Sequence, residues 1–221
     1  MRQDEIWANG SRFRREAPRR QSSTGWIAMV IFFTMAGIGV LGAIAVVGGY
    51  VALSRNLIPT SALEQIEYAE ESIIYDRAGQ TELARFGAVK REVVTFEEIP
   101  PILIDATTAI EDKSFWTNSG FDPAAVLSSF VDALRGRSRG ASTITQQLVR
   151  QRLLDPDLVQ SSSRTAERKL KEIIQSVRLT KAYPGDEGKK RIITAYLNQN
   201  FYGNNSYGVA AAARTYFGCL L

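Results

Sequence analysis

Residues 21–54 contain no Asp, Glu, Lys or Arg, an uncharged run of 34 positions in a chain of 221. A bilayer core about 30 Å thick takes about 20 apolar residues in helix, so this run spans it with length to spare. Trp26 and Tyr50 stand where interfacial aromatics belong, and Gly37, Gly39, Gly42, Gly48 and Gly49 belong to a residue type that membrane helices accept readily. A cleavable signal peptide has an apolar stretch of about 7–15 residues before a small-residue cleavage site. The run here is far longer and no Ala-x-Ala follows it. So long an uncharged stretch also argues against a core helix of a soluble domain. The expected layout is a cytoplasmic basic tail over 1–25, a transmembrane helix over 26–53, a stalk over 54–71 and one domain over 72–221.

Before the span, Arg2, Arg12, Arg14, Arg15, Arg19 and Arg20 outweigh Asp4, Glu5 and Glu16. The positive-inside rule keeps that tail in the cytoplasm and puts everything after Arg55 outside, a single-pass protein of the cytoplasmic membrane. A basic flank beside a span has its own reason to exist, so no nucleic acid is expected as partner. The net charge of +4 suits work near anionic lipid or a pyrophosphate. Cys219 is the single cysteine, which excludes an internal disulfide, and the chain has no histidine. Histidine triads, imidazole metal sites and a histidine base are thereby excluded, which leaves carboxylates as the acid–base groups near neutral pH.

Beyond the span the hydrophobic period changes along the chain. Pro59 and Thr60 precede an expected helical turn over 62–71. Two short apolar runs then flank Asp76-Arg-Ala-Gly79, which reads as a β-hairpin with Gly79 free to take positive φ, and residues 91–96 are expected to add a strand. Pro100-Pro101 ends that unit. Leu103, Ala106, Ala109 and Ile110 then recur at helical steps. Asp122 as N-cap and Pro123 at the first helical position open another helix, with Val126, Leu127, Phe130, Val131 and Leu134 on one face. Further helices are expected over 142–154, 164–182 and 189–198. The outer domain reads as mostly α with a small β element.

Four segments carry chemistry. The first is Glu111-Asp-Lys-Ser-Phe-Trp-Thr-Asn-Ser-Gly120, which opens on two carboxylates at a helix end. The second is Gly140-Ala-Ser-Thr-Ile-Thr-Gln-Gln147, with hydroxyls and amides at a helix start. Arg168-Lys-Leu-Lys-Glu172 puts Arg168 and Glu172 at i, i+4 and Lys169 and Glu172 at i, i+3. The fourth is Lys189-Lys-Arg-Ile-Ile-Thr-Ala-Tyr-Leu-Asn198, followed by Phe201-Tyr-Gly203 and Gly208-Val-Ala-Ala-Ala-Ala-Arg-Thr-Tyr-Phe-Gly218. Taken singly each has an ordinary structural reading: a helix-end acidic pair, a cap at Ser142, a solvated charged helix face.

In this order, from about residue 72 to the end, the segments resemble the motifs of the family 51 peptidoglycan glycosyltransferases. These are the bifunctional penicillin-binding proteins and monofunctional transglycosylases. The resemblance implies a mostly α, lysozyme-like glycosyltransferase domain with a small N-terminal β-hairpin element, preceded by one transmembrane helix. It implies polymerisation of lipid II into glycan strands by β(1→4) transfer with inversion and release of polyprenyl diphosphate.

Such a reaction needs a base for the attacking hydroxyl and positive charge for the departing phosphates. Glu111 is the candidate base, where partial burial at the end of an apolar helix raises a carboxyl towards a working pKa. The resemblance makes Glu172 the second catalytic carboxylate and gives Arg168 and Lys169 the donor pyrophosphate. It adds Asp112, Phe115, Asn118, Ser142, Thr143, Thr145, Gln146, Gln147, Arg150 and Asn198 as substrate-binding residues. Its expected partners are lipid II, the growing glycan strand, the membrane and cell-wall synthesis proteins. It permits a divalent cation, Mg or Mn, with the donor pyrophosphate, although the sequence shows no ligand cluster. The apolar face over 121–134 reads either as core or as a membrane-dipping segment that admits the polyprenyl tail.

The match departs in three places. Asn118 stands where the family usually has His, and Arg150 where it usually has Lys. The sequence stops at Leu221 where relatives continue through further helices, so a C-terminally truncated domain is expected. These departures motivate an alternative, a non-catalytic membrane-anchored protein that binds lipid-linked glycan or a cell-wall partner. A lysozyme-like hydrolase is a third reading, with no use for the Arg168–Lys169 array.

Overall fold

The computed structural model describes residues 23–69, 71–87, 89–136, 140–163, 165–219 and 221; the arginine-rich tail before residue 23 lies outside them. The chain divides into two units, Met1–Gly49 and Tyr50–Leu221. Helix α1, Ser23–Ser54, accounts for the described part of the first unit and runs into the second. Its apolar residues are distributed around the whole helix and stand exposed, as in Phe32, Ile38, Leu41 and Val46. A helix apolar on all sides suits a lipid environment, and α1 is long and apolar enough to cross a membrane.

The second unit is mostly helical. A 3-10 turn, Thr60–Leu63, leads to the antiparallel pair β1, Ser72–Tyr75, and β2, Glu82–Phe86. Asp76 makes the turn between them, accepting the backbone N–H groups of Gln80 and Thr81, while Gly79 takes φ 71°. The region expected as a stalk packs on the core through Leu57, Ile58, Ala62, Leu63 and Ile66. The strand expected over 91–96 shortens to β3, Lys90–Arg91. It joins no hairpin and pairs in parallel with β4, Ser206–Tyr207. A partner more than a hundred residues away leaves no trace in local pattern.

Helix α2, Pro101–Glu111, starts on its proline and stops at Asp112, whose side chain is committed to other partners. In α3, Pro123–Leu134, Asp122 caps the start by accepting the Ala125 N–H, as expected. Val126, Leu127 and Val131 on α3 are exposed, so this face is not core. Helix α4, Ile144–Arg152, packs on α6, Thr165–Ala182, and on α7, Gly185–Gln199. A short α5, Pro156–Gln160, and α8, Val209–Phe217, complete the set. Helix α7 begins four residues before the expected 189, with Asp186 and Glu187 in its first turn, where acidic groups suit the helix dipole.

The core gathers Phe115, Ile144, Leu148, Val149, Leu179, Ile192, Ile193 and Leu197 around α4. Each such side chain contributes about 1.5–3 kcal/mol on burial. Helix α4 is nevertheless rich in polar residues, and Thr145 and Gln146 are fully buried beside Leu148 and Val149. A polar group at the centre of a core demands partners, and those of the Gln146 oxygen, the Thr143 N–H and Lys169, belong to the site.

Candidate active site

Helix α4 begins with a capping box. Thr143 accepts the Gln146 N–H through its hydroxyl, and the Gln146 side chain returns to the Thr143 N–H. The Thr143 hydroxyl also donates to the Gly120 carbonyl at 2.8 Å, which ties α4 to the loop after α2. Gln147 and Arg150 then stand at i, i+3 on the same side of α4. Gln147 Nε2 donates to Glu111 Oε2 at 2.8 Å, while Arg150 Nε donates to Glu172 Oε1 at 2.7 Å and Nη2 to Oε2 at 3.2 Å. Two carboxylates 61 positions apart are thereby gathered on neighbouring turns of one helix.

Glu172 is fully buried and holds three cations. Besides Arg150, Lys169 Nζ lies 3.1 Å from Oε2 and Arg168 Nε 3.5 Å from Oε1. Burial pushes the Glu172 carboxyl up, but the hydrogen bonds and charges of Arg150 and Lys169 outweigh it and hold the group below the usual range. Lys169 also donates to Ser142 Oγ at 2.8 Å and Gln146 Oε1 at 3.0 Å. Three cations around one carboxylate leave a positive excess, the electrostatics that a diphosphate needs.

Glu111 is exposed, against the expectation of partial burial. The buried carboxylate is its neighbour Asp112, which accepts both contacts of Asn118 Nδ2, at 3.0 and 3.1 Å, and the Ile144 N–H at 3.1 Å. Burial raises the Asp112 pKa, partly offset by these donors, by Ser114 and by Lys189. Lys189, itself buried, donates to Asn118 O at 2.8 Å and Oδ1 at 3.1 Å and sits 4.7 Å from the Phe115 ring centroid. Its burial lowers the ammonium pKa, against the pull of Asp112. Asn118 thus acts as a neutral bridge, accepting from Lys189 and donating to Asp112.

A cleft of about 390 Å³ opens beside Glu111, lined by Asp112, Lys113, Asp122, Ser142 and Thr143 among others. Roomier grooves run along Phe96, at about 440 and 560 Å³, away from these carboxylates. The described carboxylates of the site do not form a set of protein ligands for a divalent cation. Glu172 has both oxygens engaged by cations, Asp112 spends its oxygens on Asn118, Ser114 and Ile144, and the described residues include no group of three acidic or cysteine side chains able to hold a metal.

Of the residues picked from sequence, Glu111, Gln147, Arg150, Glu172, Arg168, Lys169, Ser142 and Gln146 converge. Asp112, Asn118 and Thr143 brace them. Phe115 is a fully buried plug, and Thr145 is fully buried with its hydroxyl unpartnered among the described residues. Asn198 lies elsewhere: its amide accepts the Val94 N–H at 3.0 Å and donates to the Val94 carbonyl at 2.8 Å. Both its functional groups are spent pinning the segment after β3. Lys189 and Tyr196 escaped the sequence reading of individual roles. The signal was there, since both fall with Ile192, Ile193 and Leu197 on the apolar stripe of α7, where a lysine has to find a buried acceptor.

The family model described as Transglycosylase matches residues 79–220. Penicillin-binding protein 1A of Aquifex aeolicus (strain VF5) is 36% identical over 82% of this chain and 24% of its own length. Penicillin-binding protein 1A of Escherichia coli (strain K12) is 36% identical over 80% of this chain and 20% of its own length. Penicillin-binding protein 1A/1B of Bacillus subtilis (strain 168) is 33% identical over 90% and 21%. The chain thus spans between a fifth and a quarter of the length of these relatives.

Proposed function

The chain belongs to the transglycosylase family, and from that premise we propose that it is a membrane-anchored peptidoglycan glycosyltransferase that polymerises lipid II. The observation that carries the reading is the convergence of Glu111 and Glu172 on Gln147 and Arg150 of α4, beside the cations Arg168 and Lys169. Glu111, at the mouth of the cleft, takes the proton from the C4 hydroxyl of the acceptor sugar. The hydroxyl oxygen attacks the donor's anomeric carbon from the face opposite the leaving group. The bond from that carbon to phosphate oxygen breaks, inverting the centre, and the electron pair leaves with polyprenyl diphosphate. Arg150, Arg168 and Lys169 share their charge between Glu172 and the diphosphate as negative charge develops on it. The exposed apolar face of α3, with Ala124, Ala125 and Ser128 on the cleft wall, suits the polyprenyl tail at a membrane surface. Helix α1 anchors the chain once in the cytoplasmic membrane, with the arginine-rich tail inside and the catalytic unit outside.

The test is incubation of the detergent-purified chain with lipid II, with and without a divalent cation, alongside Glu111→Gln. Glycan polymer from the wild type and a loss of roughly a hundredfold or more in the variant are expected. Equal polymer from both would remove Glu111 from its role. Binding of lipid II without polymer would favour a binding protein, and shortening of preformed glycan a hydrolase.

A further inference from the structure

An exposed glutamate swings among rotamers, and Glu111 is exposed at the end of its helix. Gln147 holds it through an amide N–H, but a glutamine amide turned over by half a rotation presents its oxygen instead and repels a carboxylate. Whatever decides which way that amide faces also decides whether Glu111 is held. The Gln147 Oε1 accepts the Tyr196 hydroxyl at 3.3 Å. A tyrosine hydroxyl can donate or accept, whereas the Glu111 carboxylate only accepts, so the Gln147 amide satisfies both neighbours when Tyr196 donates to its oxygen. The result is a short ladder of two hydrogen bonds with one polarity, running from the Tyr196 hydroxyl through Gln147 to the Glu111 carboxylate. Tyr196 is almost wholly buried, and burial pushes its hydroxyl pKa up, so it keeps its proton at working pH.

We propose that Tyr196 is a positioning residue for Glu111: its hydroxyl fixes the side-chain amide of Gln147 with the N–H towards the carboxylate. This rests on Glu111 being the base for glycosyl transfer. The ladder binds no substrate itself. It holds Glu111 in one orientation before the acceptor arrives, the preorganisation that a general base on an exposed helix end otherwise lacks.

The experiment uses the full chain in detergent as wild type, Tyr196→Phe, Gln147→Ala and the double variant, each assayed for kcat and KM with lipid II. Tyr196→Phe keeps the buried ring and is expected to lower kcat about tenfold with KM within about twofold, the loss of one oriented hydrogen bond. In the Gln147→Ala background the same change is expected to do nothing further, since Tyr196 acts only through Gln147. Losses that multiply in the double variant, or a Tyr196→Phe protein as fast as wild type, overturn the proposal. A merely structural role would lower thermal stability and activity in both backgrounds alike. If Tyr196→Phe does not fold, 3-fluorotyrosine at position 196 keeps the ring, changes the acidity of the donating hydroxyl and is judged in the same cycle. An inert wild type, or a Glu111→Gln chain as active as wild type, removes the functional reading rather than the contact. The contact is then judged by the Gln147 side-chain amide proton resonances, which shift and exchange faster in Tyr196→Phe if the ladder exists and stay unchanged if it does not.

Discussion

Arg150 closes on Glu172 from the neighbouring helix with both a 2.7 Å and a 3.2 Å contact, so the buried carboxylate meets the guanidinium with both of its oxygens. This pairing has the fork geometry that arginine offers and lysine does not. It explains how a chain with Arg150 at this position can keep Glu172 ionised inside the protein.

Arg150→Met keeps the length of the side chain and removes the fork. Glu172 then relies on Lys169 and on Arg168 at 3.5 Å. A loss of about 2 kcal/mol in stability is expected, read from a denaturation midpoint in detergent. Polymer formation should fall by at least tenfold in the same preparation, since the diphosphate loses a cation as well. Unchanged stability would mean that the Arg150 contact contributes nothing to holding Glu172.

The pH dependence of stability follows from the same carboxylate. Glu172 titrates in the fold below its ordinary value of 4.5, so its contribution is fully present above that pH and disappears as the pH falls through the lower folded value. Asp112 has the opposite sign: its raised pKa penalises the fold at neutral pH, and the penalty is relieved on acidification through that raised value. Denaturation series from pH 6 down to about pH 3 on wild type and Glu172→Gln should therefore converge at the acid end. Parallel curves would show that Glu172 is not depressed.

Gly120 takes φ 95°, and a Cβ there would collide with the Ser176 carbonyl. Gly120→Ala is expected to cost about 3 kcal/mol and to lower activity disproportionately. The reason is that Gly120 accepts the Thr143 hydroxyl and donates its N–H to Asn118 Oδ1, linking the brace of Asp112 to the start of α4. A variant with wild-type melting and turnover would show that the loop gives way without consequence.

Topology has its own probe in Cys219, the single cysteine, which is exposed. A membrane-impermeant maleimide should label it in intact spheroplasts, and Cys219→Ser should abolish the signal. Labelling only after lysis would reverse the proposed orientation.

Local signals were legible where the physics is local. The uncharged run, the Asp122-Pro123 helix start and the Asp76–Gly79 turn each state their structure within a few residues, and each appears as expected. The pattern could not show that Leu57, Ile58, Ala62, Leu63 and Ile66 pack on the core, nor that Lys90–Arg91 pairs with Ser206–Tyr207, since both depend on partners far along the chain. The site divides the same way. Residue types and spacing singled out Glu111, Glu172 and the basic pair beside the latter, but not that Asn198 is consumed by Val94, nor that Lys189 and Asn118 brace Asp112.

By itself the sequence determined the apolar span, the helices α2, α3, α4, α6 and α7 but not α5 or α8, and the inventory of charged groups, because chain-local sterics, capping and hydrophobic period act over one or two turns. Only the tertiary structure decided which carboxylate is buried and which is exposed, and how Gln147 and Arg150 draw the two glutamates to one helix. Desolvation and hydrogen-bond partnership belong to neighbours in space, and those neighbours come from α2, α4, α6 and α7 together.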